Sequence, residues 1–132
     1  MDTVRVVCGV IFKEDKILLC RRKAEKPLGG YWEFPGGKVD PDESESDALN
    51  RELKEELAMQ VEINTHFKTI IHQYENIKIE LIAYSCEFVQ ADFILTDHDA
   101  IQWVEKRRLL SVNLAPADIS IAEALISNDN IS

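Results

Sequence analysis

GGKVDPDESESDALNRELKEELAM, residues Gly36 to Met59, sets acidic side chains at helical spacing directly behind a loop that carries two glycines. The spacing predicts a helix from about Ser44 to Leu57. At ~100° per residue, Glu52, Glu55 and Glu56 share one narrow face of it, while Leu49, Leu53 and Leu57 form a separate apolar stripe. The apolar stripe packs and the acidic face is left to bind. Three carboxylates within one turn repel each other and raise each other's pKa unless a cation sits among them. Hard oxygen donors of this kind suit Mg²⁺ or Mn²⁺ rather than zinc. On its own, such a trio is commonly no more than the solvated face of a Glu-rich helix. The residues upstream decide against that.

Counting from Gly37, Glu43 stands six residues on, Arg51 fourteen, Glu52 fifteen, Glu55 eighteen and Glu56 nineteen, with apolar Leu53 and Met59 between and after them. This order resembles the Nudix box of the Nudix hydrolases. With each of the six glycine or polar positions at a frequency of roughly 7%, chance agreement is on the order of one in ten million per starting point. One position departs, because the family usually has glycine where this chain has Ala58. A glycine there ends the helix in a left-handed turn, which alanine adopts at a cost of ~1 kcal/mol or avoids by a different exit.

The resemblance implies that Glu52, Glu55 and Glu56 are metal ligands, with Glu55 and Glu56 nearest the attacking water and the backbone carbonyl of Gly36 completing the shell. Arg51 lies four residues before Glu55, the spacing at which side chains pair along a helix, and is expected to hold that carboxylate in its ligating rotamer. Glu43 has two readings: a brace of the loop–helix junction, as in the family, or a solvated first-turn acid favoured by the helix dipole. MutT-like members often need a further acid from the loop before the last strand. In LTDHDAIQWV that position is taken by Asp97, six residues before Trp103 and one methylene shorter than the usual glutamate. Asp97 is the expected additional metal ligand, through a water, with Asp99 as the alternative. His98 reads as a loop residue, since a lone histidine has no obvious task among hard oxygen ligands.

Length and composition fit one compact domain over residues 1–132, with 45% hydrophobic residues for a sizeable core and no linker, repeat or low-complexity stretch. No apolar run approaches the ~20 residues of a membrane span, so no membrane partner is expected. Cys8, Cys20 and Cys86 are odd in number, far apart and set in apolar segments, which reads as reduced core thiols of a cytoplasmic protein. A net charge of −9 disfavours a nucleic-acid partner. It is compatible with a small polyphosphate whose oxygens are bridged to carboxylates by divalent ions. Local exceptions to the acidity are Arg21, Arg22, Lys23, Lys26 and Lys38, of which Arg22 and Lys38 are the candidate phosphate contacts.

The path along the chain reads as strand, turn, strand, loop, helix, further strands, a short helix and a final helix. Val4 to Phe12 and Ile17 to Cys20 flank a polar tetrad and predict a hairpin. Ala24 to Gly37 is a long Gly- and Pro-bearing loop carrying Trp32, Phe34 and Pro35, and loops of that length are usually functional. Ser44 is the expected N-cap, with Asp47 as the acidic partner of a capping box. Val61 to His72, Ile77 to Val89 and Ile101 to Val104 predict strands. Pro116 opens a final helix with Ile119, Ala122, Leu125 and Ile126 as the expected buried stripe. Strands with helices on both faces give an α+β protein built as a layered α/β/α sandwich, and the resemblance implies the same Nudix-type fold around a mixed sheet.

WEFPGGKV before the helix and LAPADISIAEAL near the C-terminus resemble the MutT-like nucleoside triphosphate pyrophosphohydrolases. In that branch the position of Asp118 reads the base. An ionised carboxylate accepts hydrogen bonds only, so it suits the N4 amino group of cytosine or the N7–H of an 8-oxo-purine. Asp118 also reads as a plain helix-start acid. Phe34, Tyr74 and Ile79 are candidate walls of the base pocket. The expected protein is a Mg²⁺-dependent (Mn²⁺ as alternative) pyrophosphohydrolase of nucleoside triphosphates such as 8-oxo-dGTP or cytosine nucleotides, monomeric or homodimeric. The alternatives are hydrolysis of a nucleoside diphosphate derivative such as ADP-ribose and a catalytically silent nucleotide-binding module.

Overall fold

A computed structural model describes residues 2–128. The elements are β1 (Thr3–Lys13), β2 (Lys16–Arg22), β3 (Trp32–Glu33), β4 (Gly36–Lys38), α1 (Glu45–Leu57), β5 (Met59–Tyr74), β6 (Ile77–Ala91), β7 (His98–Glu105), a 3₁₀ helix (Lys106–Ser111) and α2 (Pro116–Ser127). The expected hairpins and both long helices are present. The loop before α1 differs from expectation, because it carries two short strands.

The seven strands form one mixed sheet. β1 runs parallel to β6 from Thr3↔Lys78 to Phe12↔Glu87, and β5 closes against β6 as a long antiparallel hairpin turning at Glu75 and Asn76. β1 and β2 share only the pairs Phe12↔Ile17 and Lys13↔Lys16 before they part. Into that wedge the chain inserts β3 against β2 and β4 against β1, with the Gly9 amide donating to the Pro35 carbonyl at 2.8 Å. β7 covers the far side of β2. The wedge therefore seats the glycine loop in the middle of the sheet, and that is what positions the site.

Strand alternation sends successive side chains to opposite faces. Cys8, Val10, Phe12, Ile17 and Leu19 enter one core with Ile121 and Leu125 of α2, whereas Val7, Ile11, Leu18 and Cys20 enter a second core with Leu49, Leu53 and Leu57 of α1. One helix covers each face, giving the α/β/α sandwich.

α1 starts where Ser44 Oγ accepts the Asp47 amide at 3.1 Å, half of the expected capping box. It ends at Ala58, whose φ of 50° and ψ of 47° are left-handed and whose amide donates to the carbonyls of Leu53 and Lys54. Alanine thus takes the turn for which the family uses glycine. In α2 the buried residues are Ala117, Asp118, Ile121, Ala122 and Leu125, and Ile119 faces outward at 38% exposure. The expected stripe was rotated because this helix is apolar on several sides. Its orientation is set at its start, where the Ala117 amide donates to Tyr74 Oη at 3.2 Å. Cys8, Cys20 and Cys86 are free and buried. No helix among the described residues is long and apolar enough to cross a membrane.

Candidate active site

Arg51 is the hub of the acid helix. Its Nε and Nη2 donate to the two oxygens of Glu43 at 2.6 and 2.8 Å, its Nη1 to Glu52 at 2.6 Å and Glu55 at 3.1 Å, and its Nη2 also to the Lys38 carbonyl at 3.1 Å. Such forked geometry is open to arginine and not to lysine. Glu43 also accepts the Asp40 amide at 3.0 Å. The bonds from Arg51 and, after them, from Asp40 hold the Glu43 carboxyl down at about 2, while Glu43 and Glu52 push the guanidinium further up. Of the two readings of Glu43, the geometry is that of the brace.

Glu56 lies on the other side of the acidic face and is buried. Burial first, then contact with the Glu52 carboxyl and the nearby charges of Asp97 and Glu33, push its pKa up to about 9. Its Oε1 is buried with no hydrogen-bond partner. The glycine loop lies directly on the same face, since a Cβ on Gly37 would fall on the Glu52 carboxylate and one on Gly36 would overlap the Val7 carbonyl. Glycine is required at Gly36 for backbone approach rather than for turning, and at Gly37 it leaves room for the Glu52 carboxylate. An orphaned carboxylate oxygen, a backbone pressed against a second carboxylate and an all-oxygen donor set fit a hard divalent cation. Among the described residues no three such side chains form a closed ligand group, because Glu52 and Glu56 meet while Glu55, 58% exposed, is drawn to Arg51.

The loop before β7 attaches to the end of α1 through the Thr96 amide and the Glu56 carbonyl at 3.4 Å. Asp97 is thereby near Glu56 and pairs with Lys26 at 3.2 Å, whereas Asp99 is taken by Arg21 at 2.7 Å.

Beside the glycine loop is a cavity of about 380 Å³ lined by Val6, Cys8, Leu81, Ala115, Ala117 and, among others, all six residues expected on the substrate side: Arg22, Phe34, Lys38, Tyr74, Ile79 and Asp118. Gly36 and Gly37 form part of the same wall. Asp118 is buried, and its Oδ2 accepts the Phe34 amide at 2.9 Å. Burial, with the Glu33 charge adding to it, pushes its carboxyl well above the usual range against the opposing Phe34 bond. Asp118 is the acid in the first turn of α2, as the helix-start reading has it, and it also faces the cavity and bonds across to Phe34. Arg22 donates to the Pro27 carbonyl at 2.9 Å and to Glu33 at 3.4 Å.

The NUDIX domain family model matches residues 6–124. The chain belongs to the Nudix family. This Nudix protein is 35% identical to the CTP pyrophosphohydrolase of Escherichia coli (strain K12), over 96% of this chain and 94% of that one. It is also 35% identical to the putative 8-oxo-dGTP diphosphatase 2 of Mycobacterium tuberculosis, over 86% and 81%. The crystal structure of a MutT protein from Methanosarcina mazei Go1 superposes with a TM-score of 0.85 at 27% identity, over 93% and 92%. The chain is thus a MutT-like Nudix hydrolase, an enzyme of nucleotide phosphoric anhydrides, in a family that generally uses divalent metal ions.

Two residues of this Nudix hydrolase escaped the sequence reading. His98 is not in a loop; it opens β7 opposite Arg22 and is fully buried, with Nε2 2.8 Å from Glu33 Oε2 and Nδ1 3.9 Å from Glu56 Oε1. Glu33 joins that contact to Arg22 and lines the cavity. The signal for Glu33 was available, as an acid between two aromatics in a Gly- and Pro-bearing loop. His98 carried none, since its neighbours Asp97 and Asp99 make the segment look solvated.

Proposed function

We propose that this Nudix hydrolase converts a nucleoside triphosphate and water to the monophosphate and pyrophosphate with Mg²⁺, Mn²⁺ being the alternative ion, and that cytosine nucleotides are its leading substrates. The observation that carries the reading is the shared wall: Gly36 and Gly37 line the cavity that holds Asp118 and also abut the acid helix, Gly37 directly against Glu52. A base in that cavity leaves its phosphates over the glycine loop and the carboxylates.

Glu52, Glu55, Glu56, Asp97 and the Gly36 carbonyl would hold the ion, which would neutralise phosphate oxygens and acidify a water. Both aspartates have a basic partner, Lys26 for Asp97 and Arg21 for Asp99, and Asp97 is preferred because its charge acts on Glu56. The protein's own part is placement and charge. Arg51 fixes Glu52 and Glu55, and Glu55 is the carboxylate most open to solvent, placed to receive a proton from the attacking water. Arg22 and Lys38 lie along the cavity wall as cationic contacts for the polyphosphate. Phe34, Tyr74 and Ile79 supply apolar walls for the base, and Asp118, in its ionised form, accepts from the amino group of the base. Three buried unpaired thiols support a cytoplasmic place of work.

Likeness to a CTP pyrophosphohydrolase over nearly the whole chain supports cytosine, and likeness to a putative 8-oxo-dGTP diphosphatase supports the oxidised purine as second reading. Product analysis with Mg²⁺ on CTP, dCTP, 8-oxo-dGTP, the common triphosphates and ADP-ribose tests this, with Glu55→Gln as control. Monophosphate and pyrophosphate from cytosine nucleotides, abolished in the control, is the expected result. Turnover of ADP-ribose alone would move the chain to another branch, and no turnover at all would favour a binding module.

A further inference from the structure

We propose that His98 is a positioning residue of the metal site, holding the Glu56 carboxylate from behind while Glu33 anchors the opposite side of its ring. The proposal deepens the reading above, in which Glu56 is a metal ligand.

The ligating face has two sides, and Arg51 serves one of them. Glu52 and Glu55 are bonded to Arg51 at 2.6 and 3.1 Å. Glu56, turned inward, meets His98 instead. Among the described residues only two buried side-chain polar atoms lack a hydrogen-bond partner, Glu56 Oε1 and His98 Nδ1, and they face each other across 3.9 Å. A movement of about 1 Å brings them to hydrogen-bond distance. An ionised carboxylate only accepts, so the contact closes with a ring that carries protons on both nitrogens, Nε2–H donating to Glu33 and Nδ1–H to Glu56 as the carboxylate is drawn into its working position.

His98 is fixed well enough to do this. The imidazole is fully buried, its backbone is the first rung of β7 against Arg22, and its Nε2 lies 2.8 Å from Glu33 Oε2. Glu33 is itself held on β3 opposite Cys20 and reached by Arg22 Nη1 at 3.4 Å. The chain Arg22, Glu33, His98, Glu56 thus runs from the wall of the base cavity to the acid helix. A ligating carboxylate whose outer partner is removed typically loses 10–100-fold in metal affinity or activity.

The first test needs no substitution. In the ¹⁵N-labelled full chain, the His98 ring nitrogens are followed through a Mg²⁺ titration, with the other two histidines, His66 and His72 on β5, as internal controls. The expected result is a shift of the His98 Nδ1 resonance that saturates with the metal while both controls stay still. The second test measures Mn²⁺ affinity by calorimetry for His98→Leu and His98→Gln. Leucine is expected to weaken binding about 10–100-fold with a larger effect on kcat than on KM, and glutamine to recover part of the loss through its amide. An unmoved His98 resonance during saturable metal uptake, or variants that fold and bind Mn²⁺ within about twofold of the natural chain, would overturn the proposal. Absence of metal uptake by the unsubstituted chain is a different failure, that of the acid helix as a metal site.

Discussion

At the scale of the residue, Asp118 concentrates the question of substrate choice. It is buried at the start of α2, one oxygen takes the Phe34 amide, and the residue lines the cavity. Asp118→Asn keeps the shape and can keep the Phe34 bond through its carbonyl oxygen, but it fixes the second atom as a donor where the ionised carboxylate accepts. The substitution is therefore expected to change the ratio of kcat/KM between cytosine triphosphates and triphosphates without that amino group by about tenfold or more, with a smaller change in the overall rate. Steady-state rates on the nucleotide panel check this, and an equal fall for every base would remove Asp118 from recognition. Ile79 bears on the same pocket through shape alone, and Phe34 through the shape of its ring as well as its amide; shape of this kind is not distinguished from core in a single sequence.

At the scale of the element, α1 is asymmetric in how well its ends suit the sequence. The N-terminus has a serine cap and acids in the first turn, both favourable to the exposed amides and the dipole. The C-terminus forces Ala58 to φ 50°, where a Cβ is strained. The Ala58 amide and carbonyl are both used there, donating to Lys54 and accepting from Asp92 at 3.0 and 3.1 Å, so the turn is fixed despite the strain. Ala58→Gly is expected to stabilise the protein by ~1 kcal/mol, read as a higher urea midpoint at unchanged slope. A lower midpoint would mean that the extra freedom glycine gives the unfolded chain outweighs the relief.

At the scale of the molecule, buried acids couple the site to pH. Without metal, burial and the neighbouring Glu52 push the Glu56 carboxyl up to about 9, against 4.5 for an ordinary glutamate, and burial raises Asp118 as well. Between those values the folded chain binds more protons than the unfolded one, so stability falls as pH rises from about 5 towards 9. The net charge of −9 acts in the same direction. A divalent cation reverses the trend, because it takes the ionised carboxylate and displaces the proton. Melting temperatures across that range in EDTA and in excess Mg²⁺ are expected to diverge, with the gap widest at the alkaline end and proton release detectable on metal addition. A metal-free melting temperature that climbs from pH 5 to 9 would contradict the assignment.

The sequence by itself determined the acid helix, its glycine loop, the Arg51 brace and the α/β/α class. Each of these rests on local spacing, three or four residues along a helix or two along a strand, and local spacing survives into any fold that uses it. Only the tertiary structure decided which face of α2 packs, that Asp97 rather than Asp99 lies by Glu56, and that His98 is buried between Glu33 and Glu56. Those relations arise where β1 and β2 part and the glycine loop fills the wedge, beside the first rung of β7. Strand register and the parting of a hairpin are set by long-range packing, and no periodicity in the chain encodes them.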